Sequence, residues 1–227
     1  IILMIFIAML IPTGVRAEGA LTGDGSVSSP YYIRDLEDFK LLRTKVNSGE
    51  ATDGQHYLLT ADLDLSAEEN WDAIGDKQSG RAFSGIFDGG GHVIFNLKAD
   101  GETAGLFENL KGTVANLGVE SGIVSGKTAG AIVSSSDSEN ATIINCYSRA
   151  TVEDAETAGG IAGEFRGKII NSWYLGDGDT ALCGSEAASL SYCYTDGILT
   201  PSGSVGSSET NAVLGKDEAA SPSMAKR

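Results

Sequence analysis

Thr103-Ala104-Gly105-Leu106-Phe107, Thr128-Ala129-Gly130-Ala131-Ile132 and Thr157-Ala158-Gly159-Gly160-Ile161 are copies of one pattern. They stand 25 and 29 residues apart, and a weaker copy, Thr180-Ala181-Leu182-Cys183-Gly184, follows after 23. A second pattern keeps step: Ile94-Phe95-Asn96-Leu97, Val114-Ala115-Asn116-Leu117, Ile143-Ile144-Asn145-Cys146, Ile169-Ile170-Asn171-Ser172 and a degenerate Leu190-Ser191-Tyr192-Cys193. A period of this length commits a chain to a solenoid, propeller or array, because one short unit cannot bury its own apolar face. No unit carries a helical stripe, which excludes helical repeats. A propeller blade takes roughly 40 residues, which makes these units too short for one.

The expectation is an all-β fold, a right-handed parallel β-helix (solenoid) with an N-terminal helix-containing cap, its hand set by the usual crossover rule. Rungs of such a stack lie ~4.8 Å apart, so equivalent residues align. Asn96, Asn116, Asn145 and Asn171 are therefore expected to form a corner ladder, side-chain amide to side-chain amide. The composition agrees: 30 glycines against 4 prolines suit many tight corners, and 7% aromatics suit a narrow core.

Ahead of the repeats, Asp35 is placed as an N-cap for a helix carrying Leu36, Phe39, Leu42 and Val46 on one face, with Gly49 as its stop. Tyr57 to Leu65 ends in alternation, Ala61, Leu63 and Leu65 against Asp62 and Asp64. The domain reading is residues 1–17 as a signal peptide lacking its charged front, 18–29 as a flexible start, 30–82 as the cap, 83–197 as β-helix repeats, and 198–227 as a loop-like, truncated end. The run Ile1 to Pro12 is too short to span a bilayer, and Val15-Arg16-Ala17 fits a cleavage site. Cys146, Cys183 and Cys193 are an odd number and no disulfide framework; Cys183 and Cys193 could pair, but core packing is the preferred role for all three.

With 31 acidic against 16 basic residues, the net charge is −15. That excludes a nucleic-acid partner and an electrostatic hold on anionic membranes, and no membrane insertion of the mature chain is expected.

The Ala-Gly-Leu-Phe and Ala-Gly-Gly-Ile-Ala-Gly segments resemble the GLUG-motif repeats of bacterial secreted and surface proteins. So does the block Tyr57-Leu58-Leu59-Thr60-Ala61-Asp62-Leu63-Asp64-Leu65, then Trp71, then Phe83-Ser84-Gly85-Ile86-Phe87-Asp88-Gly89. The resemblance runs from about Ser29 to Gly197 and rests on the order of short motifs. It implies a secreted or cell-surface setting and an adhesin-like role. Some relatives carry such repeats beside a zinc metallopeptidase that cleaves immunoglobulin A; this chain has no zinc-binding helix motif, and the family offers no catalytic residues to carry over.

The chemistry-bearing residues give little for an enzyme. His56 and His92 lie in no His-Glu-x-x-His run, and there is no Gly-x-Ser-x-Gly elbow. Arg81, Arg149 and Arg166 are available to a polysaccharide lyase, yet nothing in the sequence ties them to one groove. Asp62, Asp64 and Asp88 are either a solvent-facing acidic edge or a calcium site, since calcium takes hard oxygen ligands. No cofactor is otherwise expected. Trp173, Tyr174, Tyr192 and Tyr194 are candidates for a sugar-stacking stripe, or for packing under an end cap. The functional expectation is a non-enzymatic module for adhesion or display, with an extracellular glycan or a host or cell-surface protein as partner. A carbohydrate-binding or carbohydrate-cleaving domain and a passive spacer are the alternatives.

Overall fold

The structure, a computed structural model, describes residues 19–177, 180–185 and 187–195. Nearly all of its regular structure is parallel β, wound as a solenoid with one helix near the front. The first sheet is seven strands deep: Tyr31–Ile33, His56–Leu59, Ile86–Asp88, Thr113–Ala115, Thr142–Ile144, Lys168–Ile170 and Ser189–Ser191. Every neighbouring pair in it is parallel. Its middle positions stack Tyr57, Phe87, Val114, Ile143, Ile169 and Leu190 into one buried column. β-Branched and aromatic side chains fill such a column well because each packs on its copy one rung away.

A second sheet follows after each corner, with strands Leu63–Asp64, Val93–Phe95, Gly118–Val119, Tyr147–Ser148, Trp173–Tyr174 and Tyr194–Thr195. These strands are two or three residues long, so each presents little to either side. The third sheet is broad. Leu97–Ala104 pairs with Gly122–Gly130, and the next coil covers the same strand with two pieces, Thr151–Glu153 and Thr157–Gly159. The extra residue between those pieces is absorbed at Asp154, whose φ is 53°. The Thr-Ala-Gly copies lie level here: Thr103 with Thr128 with Thr157. A short fourth side, Val133–Ser136 on Ala162–Phe165, closes each turn, and isolated bridges extend it to Phe107 and Cys183. In the weaker fourth copy the printed contacts are the Cys183 bridge to Ala162 and a bond from the Thr180 hydroxyl to the Val152 carbonyl at 3.2 Å.

The helix, Leu36–Asn47, starts at Asp35, whose carboxylate accepts from the Asp38 amide at 2.9 Å. Phe39, Leu42 and Val46 are its buried face. Phe39 stacks on Trp71, with centroids 4.8 Å apart and planes at 10°, and tilts against Phe87 at 5.8 Å. The helix thus lays its apolar stripe on the front of the core, as a solenoid end requires.

Two expectations about the front change. The stack begins at Tyr31, well before residue 83, because the strands flanking the helix already pair in the first sheet. Residues 19–29 are also less loose than their Gly/Ser/Asp content suggests. Thr22 bridges Tyr32, and Asp24 and Gly25 both donate to the Ser29 carbonyl.

Candidate binding surface

The corner between the first and second sheets shows how the coils are tied. Asn116, Asn145 and Asn171 all take left-handed φ, 53°, 54° and 47°. Asparagine tolerates this better than other β-carbon residues. Asn171 Nδ2 donates to Asn145 Oδ1 at 2.8 Å, and Asn145 Nδ2 donates to Asn116 Oδ1 at 3.0 Å. The run ends when Asn116 Nδ2 donates to Asp88 Oδ1 at 2.9 Å. Asn96 does not join it. Its φ is also positive, 57°, but it sits between the second and third sheets and donates to Asp64 Oδ1 at 2.9 Å. The apolar-apolar-Asn signature is used at two different corners, and only a count of rungs tells them apart.

Asp62, Asp64 and Asp88 do not converge. Asp62 Oδ1 accepts from His92 Nδ1 and from the Val93 amide, both at 3.0 Å. Asp64 Oδ1 accepts from Asn96 and from the Ser66 amide at 2.9 Å, and these donors, Asn96 first, hold its carboxyl below the ordinary range. Asp88 Oδ1 accepts from the Gly90 amide at 2.9 Å as well as from Asn116. Each carboxylate is committed to its own set of donors, and each set includes a donor on the next coil. Among the described residues no three His, Cys, Asp or Glu side chains group closely enough to hold a metal ion. Arg149 and Arg166 are tied to different carboxylates: Arg149 pairs with Glu120 at 3.2 Å, and Arg166 lies 4.0 Å from Asp137.

The four candidate aromatics divide. Tyr174 points inward and is 1% exposed. Tyr192 is 62% exposed but occupies the corner position, φ 55°, level with Asn171. Trp173 and Tyr194 share the outward face of the second sheet, in register and both half-buried. The sequence reading missed the third member, Tyr147, which pairs with Trp173 in the same register. Its signal was present: an aromatic stands two residues past the corner in three successive copies, Asn145 to Tyr147, Asn171 to Trp173 and Tyr192 to Tyr194.

The rings of Tyr147 and Trp173 are stacked, centroids 4.3 Å apart and planes at 4°. Tyr147 lies in the space left by Gly118 on the rung before, where a β-carbon would overlap its ring. Its hydroxyl donates to Glu120 Oε2 at 2.7 Å. Burial, with the Glu120 carboxylate, raises the phenol above its usual range. Arg149 binds Glu120 Oε1 at 3.2 Å and holds its guanidinium 5.7 Å from the Trp173 ring centre. The result is a line of rings along the stack with a carboxylate–guanidinium pair on its rim. Five phenylalanines contrast with it: Phe39, Phe83, Phe87, Phe107 and Phe165 are fully buried.

The cysteines are buried and free. Burial pushes the Cys146 and Cys183 thiols up to about 12 and raises Cys193 as well. Thiols held this way pack as small apolar groups and are poor nucleophiles.

No family model matches the chain. A stretch of halomucin from Haloquadratum walsbyi is 30% identical over 164 residues, covering 66% of this chain and 2% of halomucin. The chain therefore spans a small fraction of that relative. Among solved structures, a Bacteroides ovatus protein provisionally assigned as an immunoglobulin A1 protease is similar over 85% of this chain and 84% of its own, at a TM-score of 0.51 and 20% identity. At that identity the likeness is one of fold, and the fold it supports is the β-solenoid described above.

Proposed function

We propose that this chain is a non-enzymatic β-solenoid module of an exported or cell-surface protein, serving adhesion or display. The observation that carries this reading is how the polar side chains are used. The Asn and Asp residues that the repeat aligns bond one coil to the next, and none of the candidate groups converges on a shared cleft. A catalytic site needs such convergence. The similarity to a short stretch of halomucin and the GLUG-like motifs support an extracellular setting. The partner is an extracellular glycan or a host or cell-surface protein.

The test is co-sedimentation of the whole chain with insoluble plant, bacterial and mucin polysaccharides, paired with an assay for new reducing or unsaturated ends. Immunoglobulin A1 is incubated in parallel, because the structural neighbour carries a protease assignment. Retention without new chain ends and without cleavage is the expected result. New ends or a cleaved immunoglobulin would overturn the non-enzymatic reading, and absence of retention would favour a spacer.

A further inference from the structure

Trp173 is only partly buried on the outside of a strongly acidic protein, and no described residue accepts from its ring N–H. Aromatic residues are few in this chain, yet Tyr147, Trp173 and Tyr194 occupy one outward column on three consecutive rungs. We propose that this column, rimmed by Glu120 and Arg149, binds a neutral glycan chain lying along the solenoid axis. The inference rests on the adhesive reading and names its ligand class and its surface.

Three features select that ligand. The first is shape. The column is one residue wide, with the Asn ladder on one side and Glu120 and Arg149 on the other. A stable protein interface needs roughly 800 Å² on each partner, with an apolar centre. A single line of rings between polar corners does not offer that, whereas it does suit a thin ligand. The second is chemistry. Because Tyr147 and Trp173 stack on each other, they turn ring edges and the Trp173 ring N–H outward to the C–H groups and hydroxyls of a pyranose, while Glu120 and Arg149 offer an acceptor and donors to the hydroxyls. Stacked as they are, Tyr147 and Trp173 form a pre-set pair, so binding orders little that is not already ordered. The third is charge. Glu120 is on the rim, and Asp62 is close enough to Tyr147 to help raise its phenol. The whole protein's net charge of −15 adds a field that disfavours uronates, sulfates and sialylated chains.

The protein supplies its own probe. It has two tryptophans, and Trp71 is 2% exposed, so quenching by acrylamide reports Trp173. The whole chain is titrated with neutral gluco-oligosaccharides, with N-acetylglucosamine oligosaccharides and with oligogalacturonate. A neutral oligosaccharide is expected to protect Trp173 from quenching, with oligogalacturonate at least tenfold weaker. In co-sedimentation, Trp173→Ala weakens retention about tenfold, the scale of one lost aromatic contact. Trp173→Phe, which keeps a ring on the Tyr147 stack, loses less. Tyr192→Ala, exposed but off the column, binds like the parent, and unchanged Trp71 emission in the Trp173 variants shows that the core has kept its fold. Oligogalacturonate binding as tightly as the neutral chains would overturn the ligand class. Retention of neutral glycan that Trp173→Ala leaves unchanged would overturn the site while the adhesive reading stands. If no glycan is retained, the inference fails and the result favours a spacer.

Discussion

Asn145 is the middle rung of the corner ladder, and replacing it separates the two things an asparagine does there. Its backbone is held at φ 54°, and its side chain both donates to Asn116 and accepts from Asn171. Asn145→Ala loses two exposed amide bonds, about 0.5 kcal/mol each at the low end of the range for net hydrogen-bond contributions. It also places a β-carbon residue without local polar compensation in the left-handed region, costing about 1 kcal/mol. The total is about 2 kcal/mol. For a domain of this size each kcal/mol moves Tm by about 2–4 °C, so Asn145→Ala should melt about 6 °C lower. Asn145→Gly loses the same bonds but takes the left-handed φ freely, offset in part by glycine's greater freedom in the unfolded chain. It should therefore lie about 2 °C above the alanine variant. Thermal unfolding by circular dichroism, read at one scan rate for all three proteins, is the assay. If alanine matches or exceeds glycine, the backbone argument is wrong. If both melt with the parent, the ladder contributes nothing.

Gly118→Ala should push Tyr147 out of its bed, loosen the stack on Trp173 and red-shift that tryptophan's emission, at a stability loss of about 1 kcal/mol because a partly exposed ring can shift. Unchanged emission would mean that Tyr147 does not depend on the glycine. The three cysteines should fail to react with a thiol reagent at about pH 8 in the folded chain and react fully in denaturant, given their burial and raised thiol pKa values. Asp64 has a folded pKa below its unfolded value, so its contribution is complete above the unfolded pKa and is lost as pH falls through the lower folded one. Asp64→Asn should thus flatten the pH dependence of Tm below about pH 4, and a slope equal to the parent's would count against the Asn96–Asp64 bond.

The solenoid was legible because its determinant is periodic. Thr103, Thr128 and Thr157 announce a rung by recurring, and no long-range guess is needed to stack them. Asn96 misleads for the same reason. A positive-φ corner after an apolar pair selects asparagine wherever it occurs in the coil, so identical local chemistry appears at Asn96 and at Asn116. The intervals held the answer: bonded neighbours along the ladder are 28, 29 and 26 residues apart, whereas Asn96 lies only 20 residues before Asn116. The acidic trio could not be resolved this way, because Asp62, Asp64 and Asp88 accept from different backbone amides, Val93 on the next coil against Ser66 and Gly90 two residues on, and the sequence does not encode that pairing. Tyr147 stands alone in its copy and is less conspicuous than the adjacent pair Trp173-Tyr174. Alternation puts one of that pair inside and the other out.

The narrowness of the second sheet explains why recognition would settle there. Its strands are two or three residues long, so its outward face shows little more than one aligned residue per coil, and that residue touches the core less than any inward neighbour. Along the stack this position runs Val93, Gly118, Tyr147, Trp173 and Tyr194. The inward partners, Ile94, Val119, Ser148, Tyr174 and Thr195, must fit a packed interior, where a change of one methylene is felt. Among the outward ones Val93, Tyr147, Trp173 and Tyr194 are only partly buried and meet that constraint less strictly. A glycine at Gly118 costs little burial and makes room for the ring that follows it, which sets the direction in which Tyr147 leans and hence the plane on which Trp173 stacks. The surface is therefore built by the same rule as the fold, one residue for each turn of the chain. A linear ligand matches it for a physical reason: both repeat along one axis, so each rung added to the solenoid lengthens the contact without altering the rungs already made.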